Sequence, residues 1–173
     1  MQPDTSTFTM QPHTSSSLAR LLDQTWRIPR EKSNGVIQNA IEQCKLPTFE
    51  HDTGSRRVRM MEETTICVAA ILVAADRLRI DARGKRVIAD QLTAHRTYPR
   101  EQVLIHELIR AAKDNIEMSL YVSAITEDGK EHYTVGLSKE GNEADTVVLS
   151  TMEIPASNLL ARIFIASGYG LED

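Results

Sequence analysis

The amino-acid sequence predicts an α+β fold that is mostly α-helical, and two patterns support this. In most segments the apolar residues recur every three or four positions, which is the spacing of one face of a helix. In a few shorter segments, β-branched or apolar residues lie between turn signals such as Asp-Thr-Gly and Asp-Gly, as in strands joined by hairpins. The chain has 173 residues, of which 41% are hydrophobic, so a core of ordinary size is expected.

The chain begins with a segment that offers little to bury. Residues 1–15 are rich in Thr, Ser, Gln and Pro, and we expect them to form a disordered leader. A short helix over residues 18–24 follows, for which Ser16 or Ser17 is a suitable N-cap. Pro29 prevents this helix from continuing, because the residue before a proline is pushed out of the helical region.

A second helix is predicted over residues 30–44. Its apolar stripe consists of Val36, Ile37, Ala40, Ile41 and Cys44. Gly35 lowers the stability of such a helix by about 1 kcal/mol relative to alanine. We therefore expect either a close approach of another group at Gly35 or a helix that begins one turn later.

A short hairpin is predicted next. Its extended segments cover residues 48–50 and 56–60, and residues 51–55 between them contain Asp-Thr-Gly, a typical hairpin turn. The side chains that alternate between the two faces of the second segment are Val58 and Met60 on one side and Arg57 and Arg59 on the other.

The hairpin leads into further helices. A long helix is predicted over residues 62–79, with Ile66, Ala69, Ala70, Val73, Ala74 and Leu78 on its apolar face, and an amphipathic helix over residues 85–95 follows. Composition and charge change at Tyr98-Pro99. We therefore expect one domain over residues 16–97 and a second over residues 98–173.

The C-terminal unit is predicted to have the order α-β-β-β-α. Its helices cover residues 100–113 and the stretch from Pro155 to Gly168. The strands cover residues 116–126, 132–138 and 146–150. Asp128-Gly129 joins the first two strands and is a strong hairpin signal. Tyr121, Tyr133 and Phe164 are expected to lie in the core of this unit.

Charge is distributed unevenly along the chain. The net charge is −4, but residues 1–100 hold 15 of the 20 lysines and arginines and 11 of the 24 acids. Such a chain can present a basic surface to phosphate while remaining acidic as a whole. Chance asymmetry of solvated helix faces is the alternative interpretation.

The order helix, turn, helix, basic hairpin, long helix is that of a winged helix-turn-helix. A helix fits the major groove of DNA, where its polar residues can contact base edges, and an adjoining hairpin can reach the phosphates. The arginines could instead protect an edge strand from aggregation. The predicted DNA-binding residues are Arg30, Lys32, Ser33, Asn34 and Gln38 on the helix and Ser55, Arg56, Arg57 and Arg59 on the hairpin.

Three segments carry a resemblance to a known family. Residues 18–22 (LARLL), 36–47 (VIQNAIEQCKLP) and 54–63 (GSRRVRMMEE) are similar to the DNA-binding domain of MerR-like and excisionase-like proteins. The similarity extends over residues 16–95. It implies a winged helix-turn-helix that binds specific duplex sequences as a dimer or in cooperative arrays.

Other functions find little support in the sequence. His106-Glu107 lacks the second histidine of a zinc-protease helix, and the two cysteines, Cys44 and Cys67, do not form a disulfide framework and are expected to be reduced. We expect no enzyme activity, no metal and no cofactor. The longest apolar run, residues 66–75, is too short for a membrane span, and a cytoplasmic location without a membrane partner is expected.

The sequence therefore predicts a sequence-specific double-stranded DNA-binding protein, a transcriptional regulator of bacterial or phage type. Its C-terminal unit is expected to form a homodimer or to bind a protein partner. A protein-interaction adaptor that binds no DNA is the main alternative, and a small enzyme with a C-terminal site is a weaker one.

Overall fold

The computed structural model describes residues 8–96, 102–138 and 146–170, and over these ranges the chain is an α+β protein dominated by helices. This confirms the predicted fold class at that level. The helices are α1 (Ser15–Trp26), α2 (Arg30–Gln43), α3 (Glu63–Arg77), α4 (Ala82–Thr93), α5 (Leu104–Lys113) and α6 (Ala156–Ala166). The strands are β1 (Phe49–Asp52), β2 (Arg57–Met60), β3 (His95–Arg96), β4 (Gln102–Val103), β5 (Leu120–Glu127), β6 (Lys130–Gly136) and β7 (Thr146–Ile154).

Helix α3 is the centre of the fold. Every residue from Thr65 to Val73 is buried, and so is Ala75. A helix that is apolar on all sides must be covered on all sides, and α2, α4, α5 and α6 pack around it. The amphipathic prediction for this helix is therefore wrong in one respect. It placed Leu78 inward, whereas Leu78 is 43% exposed beyond the end of the helix.

Helix α1 begins earlier than predicted. Thr14, rather than Ser16 or Ser17, is its N-cap, and a capping box joins the side chains of Thr14 and Ser17 to each other's backbone N–H groups. Such a cap satisfies amide groups that the first helical turn leaves unpaired. The helix ends at Arg27, which adopts the left-handed conformation with a φ of 58°.

Helix α2 has the bounds that the sequence predicts to within a residue. Pro29 precedes it in the N-cap position, where a proline costs little because the first turn lacks intrahelical N–H partners. The alternative of a helix that begins one turn later is therefore wrong. One side of the helix packs into the core through the buried side chains of Ile37, Ala40 and Ile41.

Strands β1 and β2 form the predicted hairpin. They pair antiparallel, with Phe49 opposite Met60 and Asp52 opposite Arg57. The turn depends on Asp52, whose Oδ1 accepts a hydrogen bond from the Gly54 N–H at 2.8 Å. Gly54 has a φ of 81°, which a glycine adopts without a steric penalty.

The two halves of the chain share one hydrophobic core, which extends from Met10 to Phe164. The Trp26 Nε1–H at the end of α1 donates to the Leu159 carbonyl of α6 at 3.1 Å. Strands β3 and β4, which the sequence analysis did not predict, pair antiparallel on either side of residues 97–101. The predicted boundary at Tyr98-Pro99 lies outside the described residues.

The C-terminal elements follow the predicted order α-β-β-β-α. Strand β5 is central and pairs antiparallel with β6 on one side and β7 on the other. The first strand starts at Leu120 rather than Ile116, and the last extends to Ile154. Phe164 is fully buried as expected, whereas Tyr121 and Tyr133 are partly buried.

The prediction of a disordered leader over residues 1–15 is wrong for residues 8–14, which pack against the fold. Met10 is 2% exposed within the core. The Phe8 ring packs edge-on against Tyr169, with centroids 5.3 Å apart. His13 and Met61 exchange two backbone hydrogen bonds, of 3.0 and 2.8 Å. Residues 1–7 lie outside the described residues.

An ion pair fixes this N-terminal segment to the rest of the fold. The Lys113 Nζ lies 2.9 Å from the Glu63 Oε1, and the two side chains are only 13% and 14% exposed. The same ammonium donates to the Phe8 carbonyl at 2.6 Å, and the Glu63 Oε2 accepts from the Met10 N–H at 2.7 Å. The pair therefore links α5, α3 and residues 8–10.

Replacing Lys113 with methionine should destabilise the protein, because the Glu63 carboxylate would remain buried without its counter-ion. We expect the free energy of unfolding in urea to fall by about 3 kcal/mol. Arg110→Met is the matched control on the same helix, since Arg110 is 69% exposed and pairs with Glu107 at the surface. It should cost less than about 1 kcal/mol. Equal losses in the two variants would contradict this account.

Candidate nucleic-acid interface

The side of α2 that faces solvent is polar, because the opposite side of the helix packs into the core. Lys32, Gly35, Gln38 and Asn39 are all exposed, and their spacing places them on neighbouring turns of one helix surface. Lys32 and Gln38 were predicted to bind DNA. Asn39 was not among the predicted DNA-binding residues, although its helical spacing from Gly35 places it on the same polar face.

Two of the predicted DNA-binding residues on α2 are not fully exposed to solvent. Ser33 is 0% exposed, because it shares the buried stripe with Ile37, four residues further along the helix. The prediction that Ser33 faces solvent, where it could contact DNA, is therefore wrong. Asn34 is partly buried, and its Oδ1 is buried without a hydrogen-bond partner among the described residues. At least the oxygen end of this amide is turned away from solvent.

Gly35 is exposed in the middle of the polar face. A Cβ atom built at this position would have no described atom within 4 Å. The close approach that the sequence suggested is therefore absent within the described part of the chain. A glycine in a helix interior costs about 0.5–1 kcal/mol relative to alanine, and the packing around Gly35 does not require that cost.

The hairpin presents the predicted arginines to solvent. Arg57 and Arg59 are exposed on one face of β2, and Val58 and Met60 are partly buried on the other, which confirms the predicted alternation. Ser55 and Arg56 are exposed at the tip. The Arg57 Nη1 lies 3.4 Å from the Glu50 Oε2, with side chains that are 75% and 67% exposed. A surface pair of this kind is weak, so Arg57 can exchange it for another anion.

A shallow groove of about 360 Å³ joins α2 to the hairpin. It is lined by Ser15, Gln38, Ile41, Glu42 and Arg59. The structure thus brings together two predicted residues from separate elements, Gln38 and Arg59. Glu42 was missed in the sequence analysis, and its carboxylate also lines this groove.

Arg30 lies at the start of α2 and reaches towards α1. Its Nη2 donates to the Ser16 Oγ at 2.6 Å. The guanidinium is exposed and retains further donors, so this contact orients the side chain without saturating it.

A backbone pairing with the N-terminal segment holds the base of the hairpin. His13 pairs with Met61 directly after β2, and its Nδ1 lies 3.0 Å from the Ser17 Oγ. Burial lowers the pKa of His13, so the ring is neutral at pH 7 and adds no positive charge beside the arginines.

Other kinds of site have less support. No group of three or more His, Cys, Asp or Glu side chains that could hold a metal ion occurs among residues 8–96, 102–138 and 146–170. Cys44 and Cys67 are free, and burial raises the pKa of both thiols. A raised pKa keeps a thiol protonated at neutral pH and reduces its nucleophilicity.

Comparison of the chain with protein-family models, curated proteins and solved structures gave no match. Within the described part of the chain, none of the helices has the length and apolarity needed to cross a membrane.

The burial of Ser33 can be tested by introducing a charge. Ser33→Lys places an ammonium in a fully buried position, and we expect it to lower the free energy of unfolding by about 3 kcal/mol. Asn39→Lys, on the exposed side of the same helix, should change it by less than about 0.5 kcal/mol. If urea denaturation gives the same stability for both variants, Ser33 is exposed as the sequence analysis predicted.

Proposed function

We propose that this chain is a sequence-specific double-stranded DNA-binding protein of the winged helix-turn-helix type, acting as a transcriptional regulator of bacterial or phage type. One observation carries the proposal: Gln38 of α2 and Arg59 of β2 line the same groove. A polar helix face and an arginine-bearing hairpin that meet in this way match the two contact types of DNA recognition, base edges and phosphates.

The arrangement of the elements supports the role assigned to α2. Helices α1 and α2 pack against each other, α2 packs on the central helix α3, and the hairpin lies between α2 and α3 in the chain. A helix about as wide as the major groove can enter it when one side is free of protein. Within the described part of the chain, the side of α2 with Lys32, Gln38 and Asn39 meets that condition.

The hairpin supplies groups suited to phosphate. Arg56, Arg57 and Arg59 are exposed within a short antiparallel ribbon. The planar guanidinium forms paired, charge-assisted hydrogen bonds with phosphate oxygens. We assign these arginines to the DNA backbone, where they position α2 without reading sequence.

A second surface favours self-association through the C-terminal unit. Strand β7 is at the edge of its sheet, and Val147 and Leu149 on it are 56% and 54% exposed. Leu149 has no partner on β5, because the register passes from Ser150 opposite Ala124 to Val148 opposite Ile125. A bulge of this kind discourages strand addition. The contact we propose with a second copy is therefore made by side chains.

The same apolar patch also favours the adaptor as a second candidate function, with a different protein as the partner. A protein–protein contact through an apolar patch depends little on salt, whereas DNA binding depends on it steeply. The two candidates therefore differ in a property that a single titration measures.

Arg59→Ala tests DNA binding. With the full chain and a random-sequence duplex, the logarithm of the binding constant should fall linearly with the logarithm of the salt concentration. Loss of one phosphate contact should weaken binding and reduce that slope by about one. Arg162→Ala, which removes an exposed arginine of α6 in the other half of the chain, is the control and should leave both unchanged. Fluorescence anisotropy measures both the affinity and its dependence on salt. If the affinity of the wild type hardly changes with salt concentration, the proposal fails and the adaptor is favoured.

Leu149→Lys tests self-association. A lysine in the proposed contact between two copies should shift the protein from dimer towards monomer in sedimentation equilibrium, by about tenfold or more in the dissociation constant. Ile116→Lys is the control, since Ile116 is similarly exposed at 53% but lies outside the sheet. A wild-type chain that is monomeric at all concentrations, or equal effects of the two variants, would be evidence against this surface.

A further inference from the structure

The exposed face of α2 is centred on a glycine that the fold itself does not explain. Gly35 is in the helix interior, and a side chain beginning there would meet no described atom within 4 Å of its Cβ. Glu31 and Lys32 precede it by four and three positions, and Gln38 and Asn39 follow by three and four, so these side chains surround it on the helix surface. The centre of the face is therefore bare backbone.

Most of the other described glycines have an internal reason for their identity. Gly54 is one of several glycines with a positive φ, a backbone conformation in which glycine is favoured. Gly84 has close neighbours, since a Cβ there would lie 2.5 Å from the Ile80 Cγ2. Gly136, at the end of β6, has neither a positive φ nor a close neighbour, since a Cβ there would lie at an ordinary 3.7 Å from the Ser138 carbonyl oxygen. Of the two glycines within the described helices, Gly35 and Gly84, only Gly35 has neither reason. The close approach of another molecule is a further physical reason for a glycine in a helix.

We propose that Gly35 is the point at which α2 makes its closest approach to the base edges in the major groove, and that Gln38 and Asn39 thereby recognise adenine. This inference rests on the proposed function. Carboxamide side chains form two hydrogen bonds with the N6 and N7 positions of adenine. They are short, so the helix axis must come close to the bases, and a side chain at Gly35 would hold it away.

The surroundings of Gln38 favour DNA as the partner at this face. Gln38 shares its groove with Arg59, so a base contact from the amide would lie beside a phosphate contact from the guanidinium. Glu42 lies on the same side, one turn after Gln38, and its carboxylate repels phosphate. Glu31 and Glu42 place carboxylates at both ends of the face, so the approach proposed around Gly35 is to base edges rather than to phosphate.

Gly35→Ala separates a binding role from a structural one. Alanine is the better helix former, so the melting temperature should rise by about 2 °C or more. The affinity for duplexes recovered by random-pool selection with the full wild-type chain should nevertheless fall by about tenfold. Asn158→Ala, which removes an exposed carboxamide of α6 in the other half of the chain, is the control and should bind as the wild type does. A Gly35→Ala chain that binds the selected duplexes as tightly as the wild type would overturn the inference.

Gln38→Ala tests the base that is recognised. The selected duplexes should contain at least one A·T pair whose replacement by G·C weakens wild-type binding by about tenfold. Gln38→Ala should lose that discrimination while keeping the wild-type dependence on salt. If the wild type binds with a steep salt dependence but the variant discriminates as the wild type does, this inference fails and the proposed function stands. If the wild type shows no salt dependence, the proposed function itself fails.

Discussion

The burial of α3 on all sides is the constraint on which the rest of the structure depends. An apolar helix over Glu63–Arg77 can be covered only if both halves of the chain contribute elements around it, and α2, α4, α5 and α6 do so. Each covering helix must turn its own apolar side inward, and for α2 this side contains Ser33, Ile37 and Ala40. The direction of the polar face of α2 is thus decided by the core rather than by the polar residues themselves.

The same helix also fixes the position of the hairpin. Glu63 begins α3 two residues after Met61, and it is held by Lys113 from α5 and by the Met10 N–H. Met61 is paired with His13, which lies directly before the N-cap of α1. The base of the hairpin is therefore tied to three parts of the chain. A spacing that is fixed before binding lowers the entropic cost for any ligand that contacts both α2 and the hairpin.

Local patterns in the sequence predicted the parts of the fold that depend on local forces. The bounds of α2, the turn at Gly54 and the alternation around Val58 follow from periodicity and turn chemistry, and all are present. Residues 8–14 were misjudged because their partners are far away in the chain: Lys113 binds the Phe8 carbonyl across 105 positions. No local pattern signals such a contact. The short pairing of β3 with β4 was missed for the same reason, since two-residue strands carry no measurable period.

The candidate site was predicted in outline, and its errors come from reading polarity as exposure. Ser33 is polar yet buried, since a hydroxyl in a helix can turn back to the carbonyl four residues earlier, here that of Pro29. Acidic residues were underweighted: Glu50 is opposite Arg59 in the hairpin, and Glu42 lies in the groove. These carboxylates reduce the positive potential that the arginines provide beside the groove. Under the proposed function, base contacts would therefore supply a larger share of the affinity, and such contacts require the helix to come close. The bare backbone at Gly35 would permit that approach, so the proposal gives the glycine and the acidic residues around the groove one physical explanation in common.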